Sequence, residues 1–212
     1  MNSLEVVVWV LGILVVGGGI SFGGEEKPIS LPLVKTGQPW EKEWNSQVLL
    51  QHLSHTLPQQ AQYEETHVST ILTMPIVSTG TLSFIPPSRL EKHVFSPREE
   101  RYIIEGDSLL WEEMATGQTR ELFLPDFPLL QTFVEGFRAV FAGDLVTLRT
   151  WFAIELTGDQ KVWTLKLTPI DEDIREFVDA LHFVGQGERI TGIEIREISG
   201  DYSHIKILTE GM

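Results

Sequence analysis

The stretch that most limits what this chain can become runs Ser78-Thr-Gly-Thr-Leu-Ser-Phe-Ile-Pro-Pro-Ser-Arg-Leu-Glu-Lys-His-Val-Phe95 and continues as Glu100-Arg-Tyr-Ile-Ile-Glu-Gly-Asp-Ser-Leu-Leu-Trp111. Leu82 and Phe84, then Leu90 and Val94, then Tyr102 and Ile104 recur at period two. Pro86-Pro87, Ser96-Pro97 and Gly106-Asp107 punctuate them. Alternation interrupted by such turn residues predicts sequential antiparallel hairpins with one apolar face. A sheet of that kind must cover its greasy side, so the rest of the chain has to supply a cover.

Candidates for the cover are visible as changes of period. From Asn45, a residue suited to N-capping, Val48, Leu49, His52, Leu53 and Leu57 fall on one helical face, stopped by Pro58. Phe127, Leu130, Phe133, Val134, Phe137, Val140 and Phe141 recur at three- and four-residue steps as far as Gly143, with Asp126 placed to cap and Pro128 near the first turn. Gly143-Asp144 then opens a shorter helix, Leu145 to Trp151. Ala61–Leu72 reads as a first strand whose apolar side is broken at Glu65 and His67. After Trp111 a strand pair turns at Ala115–Gln118. Strands resume at Phe152–Leu156, at Trp163, Leu165 and Leu167, and in a terminal meander through Leu208, with Asp171–Ala180 ambiguous. The expected fold is mainly β (α+β): a curved antiparallel sheet forming an incomplete barrel, with helices on its concave face.

The first residues differ from all the others. Val6–Val16 is a continuous apolar run, followed by Gly17–Gly24 and then Glu25-Glu26-Lys27, which suits a secretory signal peptide over residues 1–23 or an uncleaved anchor. Residues 24–43, rich in Pro and Gly, read as an extended linker, and 44–212 as one domain. A net charge of −14 disfavours nucleic acid and anionic surfaces. The absence of cysteine removes thiolate catalysis, disulfides and lipidation at an N-terminal cysteine.

The order of pieces is more specific than any one of them. A strand with Gly80-x-Leu82-x-Phe84, a proline turn, an Arg89-Leu-Glu-Lys92 strand, a Tyr102-Ile-Ile104 strand and then Gly106-Asp-x-Leu-Leu-Trp111 resembles the periplasmic LolA-like outer-membrane lipoprotein carriers. With Val162–Pro169 and the hairpin through Gly200–Ile207, the resemblance covers roughly Trp44 to Leu208. It implies a monomeric periplasmic carrier that holds the acyl chains of a lipidated protein or another lipid, with an inner-membrane exporter and an outer-membrane acceptor as partners and no cofactor. The cavity residues expected on that basis are Leu82, Phe84, Leu90, Val94, Tyr102 and Ile104 from the meander, Phe133, Phe137 and Phe141 from the long helix, and Trp163, Leu165 and Leu167 from the later strand. In the family's archetypal members a basic residue precedes the early proline and hydrogen-bonds the lid. Here Ile85 precedes Pro86, and the nearest basic residue is Arg89.

Catalytic patterns do not emerge. There is no Gly-x-Ser-x-Gly elbow, phosphate loop or His-Glu-x-x-His. His52 with His55 and the Asp171-Glu-Asp173 run read as surface features rather than metal sites. The rival readings are a structural or accessory subunit of a lipid or polyene exporter, its cleft filled by its own side chains, and an accessory enzyme acting on acyl substrates.

Overall fold

The computed structural model describes residues 44–56 and 60–208. The expected leader and linker, over residues 1–43, lie outside these, as do Leu57 and Pro58.

Eleven strands form one antiparallel sheet. In chain order they are β1 (Gln60–Val68), β2 (Ile76–Ile85), β3 (Arg89–Ser96), β4 (Glu100–Glu105), β5 (Ser108–Glu113), β6 (Gln118–Phe123), β7 (Phe152–Gly158), β8 (Trp163–Pro169), β9 (Val178–Gln186), β10 (Arg189–Glu197) and β11 (Tyr202–Leu208). Four α-helices accompany them among the described residues: α1 (Ser46–Thr56), α2 (Pro128–Ala142), α3 (Leu145–Trp151) and the one-turn α4 (Glu172–Arg175). The spatial order β6-β5-β4-β3-β2-β1-β11-β10-β9-β8-β7 is two hairpin series joined where β1 pairs with β11. The sheet does not close. Its edges are β6 and β7, consecutive in sequence, so the segment carrying α2 and α3 must travel from one edge to the other. The incomplete barrel with helices is therefore the observed fold.

Local chemistry explains the helix ends. Asn45 Oδ1 accepts from the backbone N–H of Gln47 and Val48 and starts α1. Its buried residues are Leu49, Leu50 and Leu53, so the face is turned from the expected one: Val48 and His52 are half-buried and Leu50 is inside. Pro128 occupies the first turn of α2, as expected, but Phe127 is the N-cap and Asp126 ends a preceding 3-10 turn, Leu124–Asp126. Gly143 closes α2 at φ +73°, a left-handed conformation that glycine adopts without penalty. Asp144 caps α3 through Thr147 N–H. β1 ends at Val68 rather than Leu72, because Asp201 captures Ser69 Oγ and Thr70 N–H and turns the chain away. The ambiguous Asp171–Ala180 segment becomes α4, capped by Asp171, and the start of β9.

Helix α2 comes close to the sheet at Gly136. A Cβ there would lie 2.9 Å from the Phe152 ring, so the missing side chain is what lets the helix sit down on β7. The inner residues Leu165 and Leu167 of β8 and Leu181 and Phe183 of β9 are fully buried in this part of the core. Among the described residues no helix is long and apolar enough to cross a membrane.

Candidate functional site: a cavity under helix α2

Over the middle of the sheet the helix does not seal. A cavity of about 460 Å³, within the usual range for small-ligand sites, lies between α2 and the inner faces of β10, β11, β1, β2, β3 and β4. Its floor carries Ile193 and Ile195 from β10, Ile205 and Ile207 from β11, Leu82 and Phe84 from β2, Leu90 from β3 and Tyr102 and Ile104 from β4. Its roof is Val134, Phe137 and Phe141. Thr56, Gln60, Arg189 and Leu208 sit where β1, β10 and β11 begin or end, so the cavity reaches that end of the sheet.

The roof is an aromatic cluster. Phe137 and Phe141 have ring centroids 5.9 Å apart, Phe141 lies 5.7 Å from Phe84 on β2, and Phe137 packs edge-on against Phe183 on β9 at 5.5 Å. Tilted and edge-on contacts at such distances are favourable ring arrangements. Helix α1 packs against α2 and also touches β7 and β10, and its last residue, Thr56, bonds the Glu188 carbonyl at the β9–β10 turn.

Of the residues expected from the sequence, Leu82, Phe84, Leu90, Tyr102, Ile104, Phe137 and Phe141 meet at this cavity. Val94, Phe133, Trp163, Leu165 and Leu167 are buried but stand outside its lining. For Phe133 the reason is helical geometry: steps of four residues advance about 40° past a full turn, so Phe133, Phe137 and Phe141 do not form a straight line. Val134, left out of the expectation, takes the place that Phe133 was given. Trp163 lies over Gly185, where a Cβ would come within 2.1 Å of its ring, and its Nε1 donates to the Gly187 carbonyl at 2.8 Å. β8 is simply too far along the sheet. The isoleucines of β10 and β11 were missed, although their strict alternation in Ile193-x-Ile195 and Ile205-x-Ile207 carries the signal.

The floor is not wholly apolar. Lys92, buried on β3, reaches across β2 to Glu65 on β1, with Nζ to Oε2 at 2.6 Å. The intervening strand has Gly80 opposite Tyr63, and the Tyr63 ring covers it, with Lys92 Nζ 5.4 Å from the ring centre. A Cβ at Gly80 would collide with the His93 carbonyl and touch Tyr63. Next to Lys92, the Tyr102 hydroxyl donates to Glu100 Oε2 at 2.6 Å. Burial lowers the Lys92 pKa, but attraction to Glu65 and Tyr63 outweighs it, so the ammonium stays charged. Burial, then the Glu100 carboxylate, pushes the Tyr102 hydroxyl well up, so it remains a donor. Glu65 and His67 were visible in the sequence as breaks in the apolar side of β1, whereas Lys92 was not weighed beside them.

Helix α2 is tethered by its own arginine. Arg138 Nε donates to the Ser88 carbonyl at 2.8 Å, one Nη to the Gly106 carbonyl at 2.7 Å and the other to Glu135 at 2.8 Å. These carbonyls belong to the β2–β3 and β4–β5 turns. Ile85 precedes Pro86 on the sheet side, and the polar connection runs from α2 to the sheet.

Comparison with known proteins agrees with the architecture. A family model described as outer membrane lipoprotein carrier protein LolA-like matches residues 41–210. The chain belongs to this LolA-like family. No curated protein matches it. Among solved structures, this LolA-like chain is similar to a LolA superfamily protein from Nitrosomonas europaea at 12% identity and TM-score 0.44, covering 77% of this chain and 91% of that one. It is also similar to a chain of the Pseudomonas aeruginosa MucA/MucB complex, at 11% identity and TM-score 0.42, covering 76% and 55%. LprF from Mycobacterium bovis shows 10% identity and TM-score 0.34, with coverage of 77% and 91%.

Proposed function

We propose that this LolA-like chain is a non-enzymatic carrier that works in the periplasm, taking the acyl chains of a lipidated protein or of another lipid into the cavity beneath α2 and moving them toward the outer membrane. The observation that carries the reading is a mostly apolar cavity of about 460 Å³ roofed by Val134, Phe137 and Phe141. A cleft filled by its own side chains, as the structural-subunit reading requires, would leave no such space.

Each methylene taken from water contributes about 0.8 kcal/mol, so a long acyl chain held in a sealed pocket would leave slowly. A carrier therefore needs a cover that can be displaced, and α2 suits the role. Beside the cavity it is held by aromatic contacts and by two hydrogen bonds from Arg138 to the Ser88 and Gly106 carbonyls, rather than by close packing. Opening exchanges those bonds for water, and cargo that fits only the open state shifts the balance toward it. An exporter that loads the cavity and an acceptor that empties it complete the scheme.

The test is mass spectrometry of whatever accompanies the full chain purified from the periplasm, together with binding of a fluorescent acyl probe to the delipidated protein. An acyl lipid or lipidated peptide in the first measurement, and saturable binding in the second, are expected. Protein that carries nothing and binds no probe overturns the carrier reading in favour of the structural one.

A further inference from the structure

An apolar carrier cavity has no need of a buried ion pair, and breaking one by removing a partner costs about 3–5 kcal/mol. Yet Lys92 is part of the cavity wall. Its ammonium has three N–H donors, and among the described residues its one hydrogen-bond partner is Glu65 Oε2. The other donors stand in a medium where an unmet donor is costly. Glu65 Oε1 is likewise buried and without a partner among the described residues. Lys92 thus brings unspent donors to the wall of a mostly apolar pocket.

We propose that Lys92 forms a polar subsite of the cavity and donates to the carbonyl oxygen of a neutral acyl ester or amide, so that the protein takes chains in esterified or amide-linked form rather than as free fatty acids. The inference rests on the carrier reading above and specifies the chemistry of its ligand.

The local charge decides between a carbonyl and a carboxylate. Lys92 is already neutralised by Glu65, and Glu100, buried and hydrogen-bonded to Tyr102, adds a further negative charge. Arg98 approaches Glu100 only at 4.0 Å and from an exposed position. An entering carboxylate would thus lose its hydration and meet a region whose buried charges are net negative, while a carbonyl needs only a donor. The isoleucine and phenylalanine walls would take the hydrocarbon on one side of the carbonyl. The positioning is fixed by sheet geometry: Lys92 and Tyr102 are cross-strand partners on β3 and β4, and Gly80 on the intervening strand, having no side chain, lets the His93 carbonyl and the Tyr63 ring come close beside them.

The experiment compares cis-parinaric acid, its methyl ester and a tetraene hydrocarbon of the same length, by fluorescence titration at pH 8 with the full chain and with a Lys92→Met, Glu65→Gln double variant. Changing both residues avoids leaving a lone buried carboxylate, and circular dichroism checks the fold. In the unaltered protein the ester is expected to bind more tightly than the acid. The ester-to-hydrocarbon affinity ratio should fall on the order of tenfold in the double variant, the worth of one hydrogen bond to a charged donor. A ratio that does not change, with the hydrocarbon still bound, overturns the subsite and leaves the carrier reading standing. Tighter binding of the acid than of the ester overturns the neutral-ligand assignment. Binding of none of the three probes overturns the carrier reading itself, and this inference with it.

Discussion

Strands β7 to β9 and the central strands from β10 through β11 and β1 to β3 lie under the same helix, yet α2 treats them differently. On the β7–β9 flank, Gly136 lets the helix backbone descend onto Phe152, and Leu165, Leu167, Leu181 and Phe183 are fully buried. Over the central strands the helix turns phenylalanines downward, keeps a cavity of about 460 Å³ beneath them and is tied to the turns by Arg138. Both regions show apolar alternation, broken in the centre at Glu65 and His67 of β1. What separates them is the height of the cover, and that is set by one missing side chain on one flank and by large side chains on the other. The flank acts as a foundation, and the centre is where something can enter.

The sharpest way to break this contrast is to damage the foundation. Phe152→Ala should cost about 3–5 kcal/mol, because the ring fills space that neither sheet nor helix can reclaim. Urea denaturation should show the loss. A cost below about 1 kcal/mol would mean that the flank is as loosely covered as the centre.

Arg138→Met probes the opposite side. Removing the guanidinium leaves the Ser88 and Gly106 carbonyls without a charged donor, so a loss of about 1.5–3 kcal/mol is expected, along with faster hydrogen exchange in α2 and faster probe release. Slower exchange, or release that is unaltered, would mean that the tether does not hold α2 over the cavity.

Phe137→Leu asks whether the roof is ordinary core. The side chain borders a space already present, so the stability loss should be about 1 kcal/mol, smaller than for a fully packed phenylalanine, while probe exchange quickens. A lower unfolding midpoint with no change in probe affinity or exchange would assign Phe137 to the core alone.

The mildest effect concerns pH. Burial holds the His67 imidazole below the usual histidine range, with Glu65 and Asp201 offsetting part of the shift, and its Nδ1 lies 3.0 Å from Ser203 Oγ. His182 is lowered as well, by burial and then by Arg196. The unfolded chain therefore takes up protons first, so the stability linked to these groups is complete above about pH 6.5 and declines as pH falls through it. Denaturation midpoints at pH 7.5 and 5.5 should differ in that direction, and by less in His67→Gln. A midpoint that rises on acidification would reverse the assignment of His67 as a buried neutral group on the central floor.

How much of this was legible follows from the range of the interactions. Asp144 at the head of α3, Pro128 in the first turn of α2 and Gly143 at its end are local signals, and the helices lie where they point. The hairpins of β2 to β6 were likewise readable from alternation and turns. The β1–β11 pairing was not, since nothing in either strand names its partner. Lys92 and Glu65 belong to strands that are not even neighbours, and they meet across β2. The tether was hidden for another reason: Arg138 grips backbone carbonyls, which every residue possesses and no sequence pattern marks. Phe133 was misplaced by a small angle, the drift of a four-residue step.

The joining of β1 to β11 also orders events in time. Glu65 lies opposite Ile205, near the two ends of the described sheet in sequence, so the middle of the cavity floor is the contact with the longest loop to close. The two hairpin series can form early from neighbours in the chain, but neither contains a complete pocket. During synthesis the floor of the cavity is thus incomplete until β11 arrives, and a chain cut short before it would be two half-sheets joined by helices with nothing to cover.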